Sequence, residues 1–175
     1  EDFNRVWSTE ALEGARDSVE LRRARELRPL VDSVDALLDI HSMQHATPAL
    51  MICGMTRKAR ELALCLGTPA HLVCDAGHAA GRRMRDYGAF ADSASPKNAL
   101  LIECGQHWER ASVAVAIDAM LRFLLYFGAI ERDFAAPHLA PLLAAQRVVE
   151  VTQAVTIESD DFRFAAPYFG MELIA

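Results

Sequence analysis

Four short, nearly uninterrupted apolar runs constrain this chain most strongly. They are residues 36–40 (ALLDI), 49–53 (ALMIC), 70–74 (AHLVC) and 99–104 (ALLIEC). Each is too short for a buried helix and lacks a polar alternate face, so each reads as a strand covered on both sides. Between and around them the rhythm is helical. Residues 18–28 are rich in helix formers with Ser18 as a cap, and the apolar stripe through Leu30, Val31, Val34 and Leu37 allows the helix to pass Pro29. Ala59, Leu62, Ala63 and Leu66 share one face of a helix that stops at Gly67, and residues 108–127 form a long apolar helix. Strands alternating with helices predict an α/β chain with a mixed, largely parallel central sheet and helices on both faces.

Composition supports a folded core and removes several functions. The 175 residues are 52% hydrophobic and 24% charged, which suits a packed domain with room for the beginning of another. A net charge of −6 and a pI near 5.5 argue against a general nucleic-acid binder, whose affinity needs a cationic surface. Cys53, Cys65, Cys74 and Cys104 form no C-x-x-C pair, which disfavours a cysteine zinc site, a thioredoxin-type site and a disulfide scaffold. A reducing cytoplasm is the simplest compartment for four such thiols. No secretory signal is visible. The most apolar stretch, residues 113–130, carries Asp118 and Arg122 one helical turn apart, so it reads as a buried helix with an ion pair, not as a membrane span.

The texture changes after residue 135. Pro137 and Pro141 punctuate a helical stretch, and residues 148–157 alternate like an antiparallel strand. A boundary near 146 is expected, with residues 1–146 as one domain and 147–175 as a linker and the start of a β-rich module. The sequence opens on Glu1 and closes on an apolar run at 171–175, the pattern of an internal piece of a longer protein.

Two polar residues sit where open α/β sheets place chemistry, at the carboxyl ends of strands. His41 follows residues 37–40, and Glu103 lies near the end of the fourth run. Each has a structural reading, a hydrogen-bonded histidine and a salt-bridged carboxylate. Together they suggest metal-assisted hydrolysis, in which an imidazole holds zinc and a carboxylate of elevated pKa takes a proton from the metal-bound water. Asp39, two residues before His41, shares its strand face and can orient it. Asn4 and Arg5 supply an amide and a guanidinium suited to a carboxylate ligand.

Asp2-Phe3-Asn4-Arg5, Asp39-Ile40-His41-Ser42 and Ile102-Glu103-Cys104-Gly105-Gln106 occur in an order and spacing that resembles the succinylglutamate desuccinylase/aspartoacylase family of zinc carboxypeptidase-like hydrolases. The resemblance runs from residue 1 to about 130. It implies that His41 is the third zinc ligand, that Glu103 is the catalytic glutamate, and that Asn4 and Arg5 bind the substrate's carboxylate. It further implies one Zn2+ ion, two more ligands from an H-x-x-E motif upstream of Glu1, and hydrolysis of an amide in a small N-acyl amino acid or related compound. The partner would be that small molecule, with no nucleic acid and no membrane; a homo-oligomer is compatible with the sequence.

The pattern has departures. Family members that take acidic substrates carry an Arg some ten residues before the catalytic Glu. Ser93 stands there in this chain, with Lys97 the nearby cation. A second-domain tyrosine has only Tyr168 as a candidate. Arg82, Arg83 and Arg85 are expected on a solvated loop face. His45, His71, His78, His107 and His138 lack ligand spacing, although His107 and Trp108 lie close to Glu103 in sequence. A non-catalytic binder of a carboxylate metabolite on the same scaffold is the alternative function. A serine or cysteine hydrolase using Ser42 or Cys104 with His41 is disfavoured, because no G-x-S-x-G elbow is present.

Overall fold

The computed structural model describes residues 1–78, 80–168 and 170–172. Five strands form one sheet in the order β1-β4-β2-β3-β5. They are β1 (Ala36–Met43), β2 (Leu50–Cys53), β3 (His71–Cys74), β4 (Asn98–Gln106) and β5 (Arg147–Glu150). The β1–β4, β2–β3 and β3–β5 pairs are parallel, and β2–β4 is antiparallel. The four apolar runs are therefore strands, and the sheet is mixed and largely parallel as expected.

Side chains alternate across β4 and divide the core in two. Leu100, Ile102 and Cys104 pack against Ala59, Leu62, Ala63 and Leu66 of α3 (Arg57–Leu66) and against Ala119 and Phe123 of α4 (Arg110–Tyr126). On the other face Ala99 joins Val6, Trp7 and the buried stripe Leu21, Ala24 and Val31 of α2 (Val19–Ser33). Helices thus cover both faces. Ser18 caps α2 by accepting a bond from the Leu21 N–H at 3.1 Å, and the helix runs through Pro29 because its apolar stripe continues to be buried. Gly67 ends α3 with a φ of 66° and donates its N–H to Ala63 O.

The charges in the long helix are paired. Arg122 Nε donates to both Asp118 oxygens at 3.0 Å, and its Nη2 reaches Ala140 O at 2.6 Å. The Ala140 N–H in turn donates to Asp118 Oδ1 at 2.8 Å, which ties the segment after α4 to the helix. Among the described residues no helix is long and apolar enough to cross a membrane.

Two readings of the sequence are corrected. Residues 147–150 lie parallel to β3 at the edge of the main sheet, not antiparallel, and residues 151–157 join no strand. Alternation reports a half-buried strand but carries no information about its direction. Arg83 and Arg85 are buried, not solvated; a carboxylate outside the run accounts for it, as shown below.

The irregular loop that leads into β4 is fixed from α3. Lys58 Nζ lies 2.5–3.2 Å from the carbonyl oxygens of Ala89, Asp92, Ser95 and Lys97.

Candidate active site

The site begins with strand register. Parallel pairing of β1 with β4 sets His41 directly beside Glu103, and parallel neighbours point to the same side of the sheet. Asp39, two residues earlier on β1, shares that side. His41 Nε2 lies 2.9 Å from Asp39 Oδ1. The acceptor there is a carboxylate, so Nε2 carries the proton and Nδ1 is the nitrogen left for a ligand.

Asn4 completes this group from a distant stretch. Asp2 caps the turn at Phe3–Arg5 by accepting the Asn4 N–H, which turns the Asn4 side chain inward. Its Nδ2 donates to Asp39 Oδ2 at 2.8 Å, and its Oδ1 accepts the Met84 N–H at 2.7 Å. Asn4 Nδ2 and His41 Nε2 are 3.1 Å apart, two donors side by side on one carboxylate. Both ends of the Asn4 amide are therefore used within the protein. Arg5 donates from Nη1 to Asn4 O at 2.7 Å and lies 3.6 Å from Asp2.

Glu103 is the least satisfied group here. Its Oε2 is buried and has no hydrogen-bond partner among the described residues. Burial pushes its carboxyl above the usual carboxylate range, against the pull of His41, Arg83 and Arg5, while Asp39 adds to the rise. The bond to Asp39 raises the His41 imidazole above its ordinary value; burial opposes this, and the charges of Asp39 and Glu103 support it. A carboxyl whose pKa is raised by burial, beside a fixed imidazole, is an arrangement able to accept and return protons.

A second charged group lies on the same sheet face. Asp75 follows β3 and is buried. Arg83 Nη1 donates to both of its oxygens at 3.0 and 2.8 Å, Arg85 Nη2 donates to Oδ1, and the Gly77 N–H donates to Oδ1 at 2.9 Å. This buried acceptor explains why the basic run folds inward. Sequence reasoning passed over Asp75, although it closes an apolar run just as Glu103 does, and that signal would have found it. Lys97, the cation nearest the family's Arg position, donates to Asp32 O and Val34 O instead. His107, just past the end of β4, pairs through Nδ1 with Ser42 Oγ of β1 at 2.7 Å, and the neighbouring Trp108 is 85% exposed. Tyr168 lies on the surface.

The zinc ion implied by the sequence resemblance finds part of a site. His41 offers one imidazole, with Glu103 beside it. Among the described residues no three His, Cys, Asp or Glu side chains gather as a ligand set. A tetrahedral zinc site takes four donors, of which His41 would be one.

No family model and no curated protein matches the sequence. Solved structures do. A succinylglutamate desuccinylase/aspartoacylase from Rhodobacter sphaeroides shares 17% identity with a TM-score of 0.63, over 88% of this chain and 45% of that one. The apo ectoine utilization protein EutE (DoeB) from Ruegeria pomeroyi shares 16% identity with a TM-score of 0.59, over 87% of this chain and 47% of that one. A succinylglutamate desuccinylase from Vibrio cholerae shares 19% identity with a TM-score of 0.55, over 94% of this chain and 49% of that one. This chain has the fold of those structures and spans about half of their length.

Proposed function

We propose that this chain carries the proton-handling part of a zinc-dependent hydrolase that cleaves the amide bond of a small N-acyl amino acid or related carboxylate compound. The observation that carries the reading is the direct pairing of His41 with Glu103, whose Oε2 is left without a partner. A buried carboxylate oxygen without a bond is costly, and a water or substrate proton at that position would relieve the cost. The desuccinylase and aspartoacylase names of the structures that share the fold support a deacylase.

In this reading Glu103 is the general base. Its carboxylate takes the proton of the attacking water as the new C–O bond forms, then gives that proton to the amine as the C–N bond breaks. Asp39 and Asn4 hold His41 in one orientation and tautomer. Arg5 turns from its own backbone to the substrate's carboxylate. A zinc ion on His41 and two further donors would supply Lewis-acid polarisation of the acyl carbonyl.

The test is hydrolysis of a panel of N-acyl amino acids by the protein and by Glu103→Gln. The variant is expected to lose at least about 10²-fold in kcat. Equal activity of the two overturns the reading. Saturable binding of the panel with no turnover by either selects the carboxylate binder.

A further inference from the structure

β2 and β3 are parallel, and their register sets Cys53 directly beside Cys74 at the last position of each strand. Register partners on parallel strands point to the same side, and both side chains enter the core under α3, on the sheet face opposite Glu103. Both thiols are free. Cys53 Sγ donates its hydrogen to Cys74 Sγ at 3.4 Å. Neighbouring strands stand about 4.8 Å apart, inside the range of Cα separations that a disulfide spans, and the two Cβ atoms point the same way. Closing the sulfur gap to a bond of about 2.05 Å takes a sulfur displacement of roughly 1.4 Å and no change of register.

The two sulfurs are not equivalent. Cys53 is fully buried. Burial, and after it the bond to Cys74, pushes its thiol up to about 12, so it keeps its proton. Cys74 accepts the hydrogen bond and lines a cavity of about 250 Å3 with Gly54, Thr56, Arg57, Arg60 and Glu150. That cavity admits a molecule the size of hydrogen peroxide. Access therefore sets the order in which the sulfurs react: Cys74 meets an oxidant first, and Cys53 stands behind it.

We propose that Cys53 and Cys74 form a redox-sensitive pair that hydrogen peroxide converts to a cross-strand disulfide, with Cys74 attacked first and Cys53 resolving. The Cys74 thiolate attacks one peroxide oxygen. An S–O bond forms, the O–O bond breaks, and the departing hydroxide takes the proton that Cys74 released, leaving water and a sulfenic acid. The Cys53 sulfur then attacks the Cys74 sulfur. The S–S bond forms, the S–O bond breaks, and the leaving hydroxide takes the Cys53 proton as a second water. Two thiols lose two electrons, and the peroxide gains them. The cross-link lies next to Asp75, whose N–H donates to Cys53 O at 3.1 Å and whose carboxylate anchors Arg83 and Arg85, so oxidation acts on the anchor of that loop. The pair lies outside the hydrolase reading and stands without it.

Peptide mapping of the folded protein after treatment with hydrogen peroxide, with remaining thiols blocked before unfolding, tests it. One disulfide joining the Cys53 and Cys74 peptides is expected, with a mass loss of two hydrogens that dithiothreitol restores. Exposed Cys65 reports that the oxidant has acted, and it should join no other cysteine of the chain. In Cys53→Ser, Cys74 should stop at the sulfenic acid and take up dimedone; in Cys74→Ser, Cys53 should remain a thiol. Where a serine variant fails to fold, the map of the parent protein decides. Oxidised Cys65 with Cys53 and Cys74 both still thiols overturns the proposal, as does a disulfide that forms only after unfolding. Dimedone on Cys53 in Cys74→Ser, with none on Cys74 in Cys53→Ser, overturns the order of attack.

Discussion

His41 and Glu103 are register partners on adjacent parallel strands, with Asp39 one side-chain position below the histidine on the same face. Their approach is set by backbone pairing, so the geometry survives side-chain substitution at either position.

Glu103→Gln should therefore stabilise the protein at neutral pH while ending hydrolysis. The folded-state pKa of Glu103 is raised, so above its unfolded value of about 4.3 the folded chain keeps a proton that the unfolded chain has lost. Its contribution to stability is present at low pH and declines as pH rises through the folded value. The amide removes that decline and the buried charge. A gain of about 1 kcal/mol, or roughly 2–4 °C in Tm, is expected at pH 7, shrinking toward pH 4. Thermal melts across that range measure it.

Catalysis should show the same raised acid. The acid limb of kcat/KM is expected above the ordinary carboxylate range, because the base must be ionised to take the water's proton. Arg83 pulls the carboxyl down, so Arg83→Met should move that limb to higher pH. A pH–rate profile that rises at the ordinary carboxylate value, and does not move in the variant, contradicts this.

Asp39→Ala removes the acceptor shared by His41 Nε2 and Asn4 Nδ2. The imidazole should then titrate at lower pH than in the parent, read from its Cε1–H resonance. Activity should fall roughly ten- to hundredfold through loss of ring orientation.

Gly81→Ala addresses the contact between the loop after β3 and the Arg5 segment. Gly81 has a φ of +143°, and a Cβ there would lie 2.2 Å from Arg5 O. The substitution should cost about 2 kcal/mol and raise KM for carboxylate-bearing substrates roughly tenfold by displacing Arg5. Denaturant melts and steady-state kinetics separate the two effects.

Asp118→Ala strips Arg122 and the Ala140 N–H of their common acceptor inside a nearly buried pair. A loss of about 3 kcal/mol is expected from urea unfolding, with little change in KM because the pair lies on the face away from Glu103.

The strands were legible because each is a compact apolar run, and His41 and Glu103 stood out as polar groups at the ends of two of them. Their adjacency was not, since β4 reaches β1 only after two intervening strands have been placed elsewhere in the sheet. The inward turn of Arg83 and Arg85 depends on Asp75, a partner outside the charge run, so local composition pointed to solvent. Asn4 read as a substrate contact because an amide next to an arginine suits a carboxylate. In the fold its amide meets Asp39 and Met84 first.

Lys58 gives the loop before β4 its shape without any regular hydrogen-bond ladder, through one ammonium among four carbonyl oxygens. A strand that slips by a single residue turns every side chain to the opposite surface. The ammonium therefore acts as a ruler: it meters the length of chain delivered to β4, and with it decides whether residue 103 looks toward the histidine or into the layer of α3 and α4.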